Sequence, residues 1–144
     1  MNILRALSIA FAITIFCHFA AAQTPSVNPS IEGTWELLAQ RTGRGPMVDV
    51  SASNKRKEIK LIVDHYFLWT IYDLKRRTPD TVAGGTYALV GNSYVERLEF
   101  ASPRLAIYVG HDQRFTVQID GDRLVQTGVL SDGTELQEIW ARKR

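Results

Sequence analysis

Counting in steps of two along the β-type segments of this chain puts a few polar side chains among apolar neighbours. On the last segment Glu138, Trp140 and Arg142 share a face with Leu136, and upstream Glu96 shares one with Tyr94, Leu98 and Phe100. Tyr87 falls with Leu89, and His65 with Phe67, Trp69 and Ile71. If these faces enclose one interior, two carboxylates, a phenol and an imidazole converge inside an aromatic wall. Three kinds of chemistry are open to such a set. The groups can satisfy one another, Arg142 pairing Glu138 and Tyr87 bonding Glu96, because a buried carboxylate must be paired or take up a proton. They can recognise a small, apolar or amphipathic ligand, with His65, Trp69, Tyr87, Tyr94, Glu96, Phe115, Glu138 and Trp140 as the binding set. Or Glu96, Glu138 and His65 can act as acid and base, which requires two of them within about 3 Å of one substrate atom.

Other chemistries lack their residues. Beyond residue 22 the histidines are His65 and His111, both in turn-like contexts, and there is no cysteine, so no metal site is expected. No Gly-x-Ser-x-Gly elbow is present for serine chemistry. The sequence leaves the cofactor unknown.

The elements that must hold these residues are short strands. Glu32–Thr42, Glu58–Val63, Tyr66–Tyr72, Val82–Val90, Ser93–Ala101, Arg114–Asp120, Arg123–Leu130 and Thr134–Arg142 read as eight strands separated by turn residues. Gly121-Asp122 and Asp132-Gly133 are hairpin turns, Asp64-His65 is a weaker one, and Gly84-Gly85 marks a bulge or sharp bend. Asp73–Asp80, with Pro79, reads as a loop, and Pro103–Gly110 as either a short strand extension or a buried loop. The long loop Gly43–Asn54 is expected to cross one open end as a lid. No segment keeps a helical period and there is no room for crossover helices. The expectation is an all-β, eight-stranded antiparallel up-and-down barrel over residues 31–144.

The amino-terminal stretch differs in kind. Arg5, an apolar run from Ala6 to Phe16 and Ala20-Ala21-Ala22 form the pattern of a signal helix cleaved after residue 22, with 23–30 as a flexible leader. That predicts a secreted or periplasmic protein with no membrane span after cleavage. Cys17 and Arg5 leave with the signal, so the mature chain has no disulfide, and 17 Lys and Arg against 15 Asp and Glu become 16 against 15. A charge so near zero argues against nucleic-acid binding. The clusters Lys55-Arg56-Lys57 with Lys60, and Lys75-Arg76-Arg77, read as solvated strand ends or as an anionic contact at the rim. A protein partner meeting the Gly43–Asn54 and Lys75–Arg77 loops is the remaining alternative, and it would go with a filled interior and exposed Met47 and Val48.

Gly33-Thr34-Trp35 at one end of the domain and Glu138-Ile139-Trp140-Ala141-Arg142 at the other complete the reading. If the first and last strands pair, Arg142 can stack on Trp35 and close the barrel, a contact worth about 0.5–2 kcal/mol. At these residues the chain resembles the lipocalin-like, or calycin, barrels, whose first strand carries Gly-x-Trp and whose last carries an Arg that covers the Trp. Gly84-Gly85-Thr86-Tyr87, Tyr94-Val95-Glu96 and Glu138-Ile139-Trp140 are similar to a bacterial set of small secreted lipocalin-like proteins of poorly defined activity. The resemblance implies a closed barrel with Gly33, Trp35 and Arg142 as closure residues and a ligand held inside. The carboxy-terminal helix and the disulfide of larger lipocalins are absent from the sequence.

Overall fold

The computed structural model describes residues 30–144; the expected signal and all of the leader but Ser30 lie outside the described residues. Nine strands follow one another: β1 (Gly33–Thr42), β2 (Val48–Asp49), β3 (Arg56–Val63), β4 (Tyr66–Asp73), β5 (Thr78–Val90), β6 (Ser93–Ala101), β7 (Asp112–Asp120), β8 (Arg123–Val129) and β9 (Glu135–Lys143), with a 3-10 helix at Pro103–Tyr108 between β6 and β7. From β3 to β9 each strand pairs antiparallel with the next, and β1 joins β3 on one side and β9 on the other. This is the closed eight-stranded up-and-down barrel that the alternation predicts, with β2 as an extra short piece. Closure leaves only short stretches of unpaired strand edge, and the described residues contain no cysteine that could add a disulfide.

The Gly43–Asn54 loop does not lie over the mouth as a lid. β1 pairs with β3 only from Gly33 to Glu36 and then diverges, and Val48 and Asp49 of β2 take the vacated edge opposite Gln40 and Ala39. Val50 and Ser51 donate their amides to the Leu38 carbonyl at 2.8 and 3.0 Å. The loop therefore patches the wall, satisfying backbone groups that β3 leaves unpaired.

Three other details depart from the sequence pattern. β5 begins at Thr78 and takes in Pro79 opposite Tyr72, beside a slip in the β4–β5 register, a place near a strand start where a missing N–H is tolerated. A bulge between Gly84 and Gly85 pairs Leu98 with Gly85 but Phe100 with Gly84. Glu99 is thus skipped, the parity of β6 inverts, and Phe100 is exposed outside rather than facing in. The bulge needs glycine, because a Cβ at Gly85 would run into the Arg97 carbonyl. Pro103–Tyr108 is neither strand nor plain loop but the 3-10 helix, carrying Leu105 and Tyr108 onto the core.

The closure predicted from the two ends of the domain is present. Trp35 pairs with Arg142 across β1 and β9, and the guanidinium carbon lies 4.1 Å from the centre of the buried indole. Trp35 Nε1 donates to the Ile31 carbonyl at 2.8 Å, while Arg142 Nη1 and Nη2 donate to the carbonyls of Glu32 and Ser30, each at 2.6 Å. Gly33 is fixed by the same contact: its φ is 137°, and a Cβ there would stand 2.6 Å from Arg142 Nη1. Arg142→Met keeps much of the stem but loses the cation over the ring and two charged hydrogen bonds. It is expected to lower unfolding free energy by about 1–2 kcal/mol in urea titrations.

Candidate functional site

Turns fix the two ends of the barrel. The hairpins at Asp64-His65, Gly91-Asn92 and Gly121-Asp122 gather at the end sealed by Ile31, Trp35 and Arg142. The β4–β5 and β8–β9 turns, the Gly43–Asn54 loop and the 3-10 helix gather at the other. Toward this second end lies a cavity of about 200 Å³, reaching from Trp140 past Lys60, Glu96 and Glu138 to Gln40, Glu58, Leu105 and Tyr108.

Five of the eight predicted binding residues line this cavity: Trp69, Glu96, Phe115, Glu138 and Trp140. Tyr94 is fully buried in the core, its ring 5.5 Å from Tyr87 and 6.4 Å from Phe115, and its hydroxyl has no hydrogen-bond partner among the described residues. Burial, followed by the charge of Glu96, pushes that phenol well above its ordinary pKa, so it stays protonated. His65 and Tyr87 are elsewhere. Asp64 and His65 form the two-residue turn at φ 46° and 68°, and the His65 and Tyr87 rings, 6.3 Å apart, line an open cleft of about 860 Å³ at the sealed end. Face parity groups them correctly with Trp69 and Leu89, but the strand has run past the lumen before it reaches them. Although this cleft is larger, its openness and its place outside the plug make the smaller cavity the better enclosed site.

The polar group at the heart of the lumen is one the sequence reading places in solvent. Lys60, counted there with a basic cluster, is 2% exposed. Its Nζ donates to Glu96 Oε1 at 2.9 Å and Gln126 Oε1 at 3.2 Å, lies 4.0 Å from Glu138 Oε2, and sits 4.7 Å from the centre of the Trp140 ring. Trp140 Nε1 in turn donates to Glu138 Oε2 at 3.2 Å. Burial alone would depress the lysine, but Glu96 and Glu138 outweigh it and its pKa is raised. Lys60 is a held cation, not a free base.

Neither pairing expected from the sequence forms. Arg142 serves the plug and not Glu138, and the Tyr87 hydroxyl points to Glu32 at 3.5 Å instead of Glu96. Glu138 has its carboxyl raised, first by burial and then by Glu96, with Lys60 and the Trp140 N–H opposing. Glu58, also in the lining, makes no hydrogen bond or ion pair among the described residues. Burial, reinforced by Glu138, pushes its pKa up to about 8. Period-two counting back from Ile62 through Lys60 reaches Glu58, which is the signal that could have placed both inside.

Of Glu96, Glu138 and His65, the two carboxylates share the cavity, both facing Lys60, while His65 lies at the opposite end and cannot join them. Met47 and Val48 are exposed as the interaction-scaffold alternative expects, yet the interior is not filled. Among the described residues no group of three metal-ligating side chains occurs, and no helix is long and apolar enough to cross a membrane.

A closed antiparallel barrel, plugged by a Gly-x-Trp strand and a stacked Arg and hollow toward its other end, is a lipocalin-like barrel. Solved structures agree on the fold. A lipocalin-like protein from Bacteroides uniformis superposes with a TM-score of 0.55 at 18% identity, over 78% of this chain and 97% of that one. An uncharacterised protein from Bacteroides eggerthii gives 0.55 at 13% identity, over 78% and 98%. No protein family and no curated protein matches the sequence.

Proposed function

We propose that this protein is a small-molecule carrier, secreted or periplasmic, that holds a partly apolar ligand in the barrel lumen. The observation that carries this reading is the cavity itself: an aromatic and aliphatic wall from Trp69, Phe115, Trp140 and Leu98 surrounding a few convergent polar groups. Its volume of about 200 Å³ lies below the usual 300–1,000 Å³ of drug-sized sites. The occupant is therefore small, on the scale of one ring with a short chain. Release into an oxidising compartment rests on the amino-terminal charge and hydropathy pattern and suits a mature chain free of cysteine.

Two of the three tryptophans, Trp69 and Trp140, line the lumen, so intrinsic fluorescence reports occupancy. Native mass spectrometry of gently purified protein is expected to show a bound small molecule, and its removal to change that fluorescence. Leu105→Trp, at the partly buried mouth position, is expected to weaken rebinding by about tenfold, equivalent to about 1.4 kcal/mol, while the barrel stays folded. Unaltered rebinding in that variant, or protein that carries nothing and responds to no ligand, would count against the lumen as the site.

A further inference from the structure

Resting on the carrier reading, we propose that the lumen selects a small organic cation: a primary or secondary amine on a short apolar or aromatic body, its ammonium held by Glu58 and Glu138. The charge balance of the cavity carries the argument. Three carboxylates, Glu58, Glu96 and Glu138, line it against one cation, Lys60. That cation is already committed, with Glu96 at 2.9 Å, Gln126 at 3.2 Å and the Trp140 ring beneath it. An incoming carboxylate or phosphate therefore finds no free cation at any pH, and once Glu58 ionises it also meets excess negative charge. A fatty-acid head is disfavoured for the same reason.

Glu58 points to where a cation fits. It lies in the cavity lining opposite Ile71 on the paired strand, has no hydrogen bond or ion pair among the described residues, and shares the lining with Glu138, whose charge raises its proton affinity. Two carboxyls that repel across a low-dielectric pocket can be relieved either by a proton or by a bound cation. An ammonium supplies the charge and up to three donors, and the Trp69, Phe115, Leu98 and Leu105 side chains cover its apolar body. Because the proton and the ammonium compete for the same carboxyls, amine binding releases about one proton near neutral pH, and affinity rises with pH up to about tenfold per unit until Glu58 has ionised.

The test is isothermal titration of the wild-type protein with 2-phenylethylamine and butylamine, their isosteric alcohols 2-phenylethanol and butan-1-ol, and 3-phenylpropionate. At pH 8 each amine is expected to bind at least about tenfold more tightly than its alcohol, which is about 1.4 kcal/mol. At pH 6 the advantage shrinks to threefold or less, and the carboxylate does not bind at either pH. Glu58→Gln should cut the amine-to-alcohol ratio at pH 8 to threefold or less. Alcohols binding as tightly as amines in wild-type protein would overturn the cation inference and leave the carrier reading standing. Binding by none of the probes would overturn both, and an undiminished ratio in folded Glu58→Gln would remove Glu58 as the ammonium's partner.

Discussion

Lys60→Met is expected to destabilise the barrel by about 3–5 kcal/mol at pH 7.5, a shift large enough to threaten folding at physiological temperature. The aliphatic stem is kept, so the loss isolates the charge. Lys60 and Glu96 are 2% and 4% exposed at their side chains, and without the ammonium Glu96 is left as a buried carboxylate beside a second one, Glu138. Removing one partner of such a pair costs far more than the pair itself contributes, because desolvation of the orphan is not offset. The double variant Lys60→Met with Glu96→Gln removes the orphan charge and is expected to recover at least half of the loss in urea titrations. Lys57→Met is the contrasting control. Lys57 bonds Glu36 at 2.5 Å, but its side chain is 34% exposed and Lys143 still holds Glu36 at 2.8 Å, so the urea midpoint should hardly move. A Lys60→Met midpoint as little changed as that of Lys57→Met would mean that the lumen is too wet for this account.

That contrast also marks what the amino-acid sequence makes legible. β7, β8 and β9 alternate cleanly, and Phe115, Glu138 and Trp140 face the lumen as counted. Trp35 and Arg142 meet because a closed barrel joins the first and last strands of the domain. β3 is opaque because its polarity is inverted. Its outward side chains include Leu61 and Val63, 41% and 61% exposed, while Glu58 and Lys60 face in. A charge beside apolar neighbours then reads as solvent-facing, and only the parity shared with buried Ile62 says otherwise. Parity in turn gives the side of a strand but not the depth along it, which is why His65 and Tyr87 emerge at the sealed end. It also fails across a bulge, as Phe100 shows.

The lumen is thus built against local preference, with one cation set among three carboxylates at positions that apolar side chains usually fill. Such a cluster is difficult to explain by stability alone, since replacing a buried charged group by well-packed apolar residues is often neutral or stabilising. Its place in the lining of a cavity suits recognition of something that completes it. The strain should be visible in the protein without any ligand, as a dependence of stability on pH.

Stability is expected to fall by about 3 kcal/mol as pH rises from 5 to 9, with Glu58 responsible for most of the change. In the unfolded chain this carboxyl ionises near its ordinary value of 4.5, whereas in the folded barrel burial and Glu138 hold its pKa at about 8. Between those values the folded state binds more protons than the unfolded one, so each added pH unit favours unfolding by up to about 1.4 kcal/mol. The stabilising contribution is complete below the unfolded value and lost as pH climbs through the folded one. Water reaching Glu58 from the mouth reduces the full span, hence the figure of about 3 kcal/mol rather than the larger unscreened value. Glu138, also raised, acts in the same direction, while Glu36, lowered by bonds from Lys143 and Lys57, acts only in more acid solution. Glu58→Gln should flatten the profile: close to wild type at pH 5, and about 1–3 kcal/mol more stable at pH 9. Urea unfolding at half-unit pH intervals measures both curves, and parallel profiles for the two proteins would show that Glu58 is already ionised in the folded barrel at neutral pH.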